Sequence, residues 1–211
     1  MKPIIFSTQM VQAILEGRKT QTRRVIKIDD APENWKISIA GTSIVRTEPY
    51  DVKLPRYAAG DNLWVRETFC EVPYEHNHVP IKGGHITIPK YAYKADSERD
   101  YTGIWKPSIH MPREAARIFL RVANVRVERL REITENDAKN EGVKDPYDYQ
   151  EPSYYDQPHV RGMEINKSAF AGLWDSLNEK RGYGWRTNPW VWVVAFEKIS
   201  KEEAERLEGL E

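Results

Sequence analysis

The 211-residue chain predicts an α+β fold, a small β-barrel with flanking helices and long loop insertions. Three observations carry this. The segment 118–130 alternates Ile118, Leu120 and Val122, then shifts phase to Val125 and Val127, as a strand does at a β-bulge or where it rounds a small barrel. Residues 190–199 are apolar on both faces, which predicts a central strand. Residues 166–177 set Phe170, Leu173, Trp174 and Leu177 at helical spacing, the apolar stripe of a core-facing helix capped by Asn166.

The remaining elements follow from local chemistry. Residues 4–6 form a first strand. Ser7 or Thr8 then caps a short helix in which Met10, Val11, Ile14 and Leu15 repeat at helical spacing, and Gly17 supplies the left-handed stop. A basic strand runs on through Ile28, and residues 29–34 break the pattern. Segments 37–39 and 43–45 alternate on either side of a Gly-containing turn, a hairpin signal. The Gly60-Asp61 turn enters a strand in which Leu63 and Val65 alternate with Trp64 and Arg66. Residues 71–112 are rich in Pro, Gly, His and Tyr and read as an insertion with one strand at 91–94. Thr134 with Asp137 starts a helix that Gly142 ends, and a second loop insertion, rich in Tyr, Pro and Asp, spans 144–162. Residues 1–200 thus read as one domain with two insertions, followed by a charged, frayed helical tail at 201–211.

Composition narrows the function classes. Thirty-two basic and 32 acidic residues cancel, so no global field draws the molecule onto nucleic acid or anionic lipid, and any nucleic-acid site must be a local patch. Two patches qualify: Arg18, Lys19, Arg23 and Arg24, and Arg113, Arg117, Arg121 and Arg126 around a later strand. Cys70 is the single cysteine, so no intramolecular disulfide forms. With no long apolar run and no signal-peptide pattern, a cytoplasmic protein without membrane contact is expected.

The run Gly17-Arg18-Lys19-Thr20-Gln21-Thr22-Arg23-Arg24 is the strongest site signal. Period-two geometry puts Thr22 and Arg24 on one strand face and Gln21 and Arg23 on the other, with Lys19 reaching in from the turn. A hydroxyl, an ammonium and a guanidinium converging there suit phosphate, carboxylate or a polarised carbonyl. The other reading is a solvated helix end whose cations complement the macrodipole.

The order of these residues resembles the GxKxxTxR signature of ASCH domains, small barrels of the PUA-like superfamily. Residues 60–67, Gly-Asp-Asn-Leu-Trp-Val-Arg-Glu, resemble that family's GD-x-L-W-V-R-E strand, and residues 133–143 its T-x-x-D-A-x-x-E-G helix. Together with the last strand and the segment 105–112, the wording is similar to the larger ASCH proteins of phages and prophages. The resemblance implies a pocket that takes a flipped or free nucleobase, and hence an RNA- or nucleotide-binding protein. It also implies an alternative, since some bacterial relatives are amidohydrolases that deacetylate N4-acetylcytidine with a Lys, a Thr and a Glu. By motif these are Lys19, Thr22 and Glu141, with Thr22 as nucleophile, Lys19 as base and Glu141 orienting or shuttling the proton.

In the binding reading Arg18, Arg23 and Arg24 hold phosphate at the mouth, while Trp64 can stack a base and Arg66 lies on the same strand face. A nuclease using the same cationic pocket is a further version of the enzyme. A rim ion pair between Arg66 and Glu67 is the plainer expectation for those two. A third class is a phage accessory protein that binds a protein partner through Tyr147, Tyr149, Tyr154 and Tyr155. Cys70, His76, His78 and His85 have metal-ligand chemistry, but their spacing fits no compact zinc motif, so neither metal nor cofactor is expected.

Overall fold

The computed structural model describes residues 1–27, 38–40, 43–45, 55–72, 78–81, 84–87, 89–96, 104–144 and 165–209. The mixed α and β content matches the expected class. The main sheet has five strands: β1 (Lys2–Ile5), β2 (Gln21–Val25), β5 (Asn62–Arg66), β10 (Phe119–Arg129) and β11 (Trp190–Ile199), in the order β1-β5-β10-β11-β2. Barrel closure requires the two edge strands to bond to each other. Here β1 and β2 are the edges, so among the described residues the sheet is open and the expected closed barrel is not formed. The doubly apolar strand β11 is central, as its sequence required.

The chain divides into two compact units, one from Met1–Glu16, Asn62–Arg121 and Lys198–Glu211, the other from Gly17–Asp61 and Val122–Glu197. In the first unit β1 runs parallel to β5 with Ile4 beside Val65, and β5 runs antiparallel to β10 with Leu63 opposite Leu120. Helix α1 (Thr8–Leu15) is capped by the Ser7 hydroxyl, which accepts from the Met10 N–H, and the chain leaves it through Gly17 at φ 77°. The unit's core gathers Trp64, Phe69, Met111, Phe119 and Ala204. Ala204 belongs to helix α4 (Lys201–Glu208), which is therefore built into the core instead of fraying. Its end is tied down too: the Glu208 carboxylate accepts from the N-terminal ammonium at 2.5 Å and pairs with Arg113.

The first insertion holds more sheet than its composition suggested. Strand β6 (Phe69–Glu71) pairs with β9 (Tyr91–Tyr93), and β7 (His78–Ile81) forms a hairpin with β8 (Gly84–Thr87). Strands of three or four residues are too short for alternation to rise above a background of Pro, Gly and His. The hairpin of β3 (Ser38–Ala40) and β4 (Ser43–Val45) forms where the turn signal put it.

In the second unit β2 and β11 are antiparallel, with Thr22 opposite Val194 and Arg24 opposite Trp192. Strand β10 runs unbroken through the phase shift of its sequence, and Ala123 and Asn124 are exposed in succession where the alternation changes. Helix α2 (Glu135–Asn140) opens with a full capping box, the Thr134 hydroxyl accepting from the Asp137 N–H at 3.0 Å while the Asp137 carboxylate accepts from Thr134, and Gly142 leaves it at φ 86°. Helix α3 (Ile165–Asn178) is capped from outside. The Glu135 carboxylate accepts from the backbone N–H groups of Asn166 and Lys167 and from the Asn166 side chain, at 2.9–3.1 Å. Asn166, expected as the cap, is the capped residue. Phe170, Trp174 and Asn178 are buried at four-residue spacing, which turns Leu177, expected in the core, outward to 46% exposure. Leu130, Ile133, Ala138, Val191 and Val193 complete this core.

Because α2 is short and its first turn depends on one hydroxyl, Thr134→Ala should lower stability by about 1 kcal/mol. Urea unfolding checks this, with a fall in midpoint at unchanged slope expected.

Candidate functional site

The turn after α1 delivers the basic run against the C-terminal end of α2. The Thr20 N–H donates to the Asn140 carbonyl at 2.9 Å, the Thr20 carbonyl accepts from Phe196 on β11 at 2.8 Å, and Lys19 and Glu141 form a backbone bridge. Main-chain pairing thus fixes the positions of Lys19 and Glu141 before any side chain is considered. Lys19 Nζ then donates to Glu141 Oε2 at 2.8 Å and to the Glu141 carbonyl at 2.8 Å. Arg18 Nη1 donates to the Gly142 carbonyl at 2.5 Å, so it caps the end of α2.

The alternation of β2 sorts the other side chains as expected. Gln21 and Arg23 face α2. Gln21 Nε2 donates to the Asp137 carbonyl and Oδ1 at 2.9 and 3.0 Å. Arg23 Nη1 donates to Glu141 Oε1 at 2.9 Å and Nε to Glu128 Oε1 at 2.9 Å, and its guanidinium lies 5.7 Å from the Phe170 ring centre. Arg126 closes the circuit, reaching Glu128 and Asp137 at 3.1 Å each. Three cations, Lys19, Arg23 and Arg126, therefore meet three carboxylates, Glu128, Asp137 and Glu141. Lys19, Arg23 and Glu141 are only 2–4% exposed. Such a network is high-stakes, because charges removed from water are tolerated only while each has its partner.

The network tunes its members unequally. Burial pushes the Lys19 ammonium below the ordinary Lys value; the charge and hydrogen bond of Glu141 oppose this, and the charges of Arg24 and Arg23 add to it. Burial works against ionisation of Asp137, but hydrogen bonds from Gln21 and Thr134 and the Arg23 charge outweigh it, holding that carboxyl below its usual range. Asp137 thus contributes stability fully above the ordinary Asp range, and that stability is lost as pH falls through the depressed folded-state value.

Thr22 and Arg24 take the opposite face of β2. Thr22 is 1% exposed and opposite Val194. Arg24 and its partner Trp192, with Val194, Ile26, Arg56 and Tyr57, line a cavity of about 330 Å³. This is at the small end of ligand-sized cavities. Arg24 is the electrostatic link between the two faces. Burial disfavours its charge, electrostatic interaction with Tyr57 and Glu141 supports it, and Arg181 opposes it.

Not all sequence-predicted residues meet here. Lys19, Arg23 and Glu141 are joined directly, Arg18 holds the adjacent turn, Arg24 lines the cavity while Thr22 shares its strand face without lining it, and Trp64 and Arg66 belong to the first unit. There Trp64 is a core residue with the Arg66 guanidinium 5.5 Å from its ring centre, and Arg66 donates to the Ile109 carbonyl. The expected Arg66–Glu67 ion pair does not form, because neighbours on an extended chain point to opposite sides. Glu67 instead receives Arg117 through two bonds of 2.9 and 3.0 Å, and Arg117 also reaches Asp96 at 2.7 Å. The second basic patch is largely internally paired, through Arg113–Glu208, Arg117–Glu67 and Arg126–Glu128.

Cys70 is buried opposite Ala92 in the β6–β9 pair, and His78 and His85 sit on the β7–β8 hairpin without facing each other in register. His76 and the Tyr-rich segment lie outside the described residues. Among the described residues no group of three or more His, Cys, Asp or Glu side chains is arranged to hold a metal ion, and no helix is long and apolar enough to cross a membrane. Sequence reasoning missed Tyr57, Arg56, Lys27 and Glu128. Trp192 carried a signal, since it stands on the central strand opposite the signature's last arginine. Comparison with known proteins finds no matching family model, no matching curated protein and no matching solved structure.

Two measurements test the network. Glu141→Gln takes the charge from the partner shared by Lys19 and Arg23 and should destabilise by about 3–5 kcal/mol, whereas Lys19→Met leaves Glu141 paired with Arg23 and should lose less. In acid titrations of unfolding free energy, Asp137→Asn should flatten the loss of stability below about pH 4, the region in which an unfolded-state Asp takes up its proton.

Proposed function

We propose that this chain is an ASCH-type member of the PUA-like group that binds RNA or a nucleotide by taking one base into the cavity beside β2. The observation that carries the reading is the cavity's chemistry. Tyr57 and Trp192 supply aromatic surface, Ile26 and Val194 an apolar floor, and Arg24 a planar donor suited to the edge of a base. A site of this kind gains affinity from stacking and specificity from few, fixed polar groups. The GxKxxTxR resemblance supports it from the sequence side, since the last arginine of that signature, Arg24, lines the cavity.

One observation favours a second reading, an amidohydrolase acting on N4-acetylcytidine-like substrates. Lys19 and Glu141 are a buried, hydrogen-bonded pair in which burial lowers the Lys19 affinity for its proton. In that reaction the Thr22 oxygen forms a bond to the amide carbonyl carbon while its proton passes to neutral Lys19. The C–N bond then breaks as the leaving amine is protonated, and water hydrolyses the acetyl ester. A pair whose members are already satisfied also has a plain structural role, so turnover is the deciding measurement.

Titration of cytidine and N4-acetylcytidine, followed by tryptophan fluorescence and calorimetry, tests the binding reading. Saturable binding is expected, weakened in Trp192→Ala by about 5- to 150-fold, the range that one base–aromatic stack is worth. Absence of binding to either nucleoside, or binding indifferent to Trp192, overturns it. Chromatographic detection of free cytidine tests the enzyme: Thr22→Ala and Lys19→Met should each remove turnover, and an intact substrate after prolonged incubation sinks that alternative while leaving the binder standing.

A further inference from the structure

We propose that Lys27 and Arg56 form a phosphate subsite at the mouth of the β2 cavity, so that it prefers a phosphorylated nucleotide to the uncharged nucleoside. The inference rests on the reading of the cavity as a base pocket.

It starts from how the cations of the basic run are used. Lys19 and Arg23 are buried against Glu141 and Glu128, and Arg18 serves the end of α2. Lys19 and Arg23, together with Arg126, are matched one for one by Glu128, Asp137 and Glu141, a group with little net field to offer an anion. The cavity differs. Arg24, Lys27 and Arg56 all line it, and its described lining residues include no carboxylate. Arg181 and the Glu141 carboxylate, which is itself held by Lys19 and Arg23, are both close enough for their charges to act on Arg24. In a molecule whose total charge is zero, the described residues here form a local excess of positive charge in a concavity, the arrangement that focuses field onto an anion.

Depth decides where that anion sits. Ile26, Tyr57, Trp192 and Val194 are all buried, whereas Lys27 and Arg56 are exposed. A phosphate pushed onto the apolar floor would lose its hydration without full replacement, but at the rim it keeps water on one side and gains charge-assisted bonds on the other. A base has the opposite preference. The guanidinium of Arg56 lies 5.9 Å from the ring centre of its neighbour Tyr57, which keeps the rim cation beside the aromatic wall. Apolar depth with a cationic rim is therefore matched to a ligand with a flat apolar end and an anionic end.

The phosphate can belong to a free mononucleotide or to an RNA chain, and the experiment separates these sources. Cytidine, cytidine 5′- and 3′-monophosphate, a short oligocytidylate and inorganic phosphate are titrated by calorimetry at low and high salt. The proteins are the unaltered chain, Lys27→Gln, Arg56→Gln and the double variant. Both positions are exposed, and thermal melting checks that the variants remain folded.

At low salt a monophosphate should bind about tenfold or more tighter than cytidine, as expected for one or two charge-assisted contacts. The gain should shrink with added salt and vanish in the double variant. A monophosphate that binds as tightly as the oligocytidylate supports the free-nucleotide source, and a tighter oligocytidylate with the same dependence on Lys27 and Arg56 supports the RNA source. Equal affinity for cytidine and its monophosphates, or a phosphate gain that survives the double variant, overturns the subsite and leaves the base pocket intact. Failure of cytidine to bind overturns the base pocket, and failure of every ligand to bind overturns both.

Discussion

The buried pairing of Lys19 and Arg23 with Glu141 is the constraint around which the second unit is arranged. It joins the entry of β2 to the last turn of α2, and it does so twice, through backbone pairing and through side chains. A carboxylate at a helix C-terminus opposes the macrodipole. Two cations from the neighbouring strand offset that penalty, which explains why the run of basic residues follows a turn and not a solvated helix end. Once Glu141 is held by both, Arg23 is committed to α2, and the alternation of β2 obliges Thr22 and Arg24 to face the other way.

This division of labour separates a sealed face from an open one. On the sealed face every charge of the Lys19, Arg23, Glu128, Asp137, Glu141 and Arg126 group has a partner inside the protein. On the open face the cations stand around a cavity walled by Tyr57 and Trp192. The same residue type thus has two roles within a few positions of one strand. Arginine at 23 is structural cement, and arginine at 24 lines the cavity. A reading that treats the whole run as one cationic patch merges the two.

Much of the local structure was legible. The Ser7 and Thr134 caps, the left-handed Gly17 and Gly142, the hairpin at residues 38–45 and the central position of β11 all follow from short-range rules, because each depends on residues within a few positions of one another. The same rules failed where the deciding partner was distant. Asn166 has the chemistry of a cap, yet Glu135 from another helix caps α3 in its place. Glu67 stands next to Arg66 and pairs with Arg117, 50 positions away. The terminal helix is rich in charge, but Ala204, whose methyl group is small enough to be fully buried, docks it in the core.

What the sequence alone determined is the alternation of β2, and with it the fact that Thr22 and Arg24 share a face that Gln21 and Arg23 do not, since the geometry of an extended chain allows nothing else. It determined as well where α2 begins and ends, and so that Glu141 stands in its last turn. Only the tertiary structure decided what each face meets. Whether a basic residue is neutralised or presented depends on which carboxylates lie across from it, and Glu128 and Glu141 are more than a hundred positions from Arg23. Whether a strand face is core or cavity depends likewise on Tyr57 and Trp192 arriving from separate segments, and electrostatic pairing and enclosed volume are properties of that assembly, absent from any one stretch of chain.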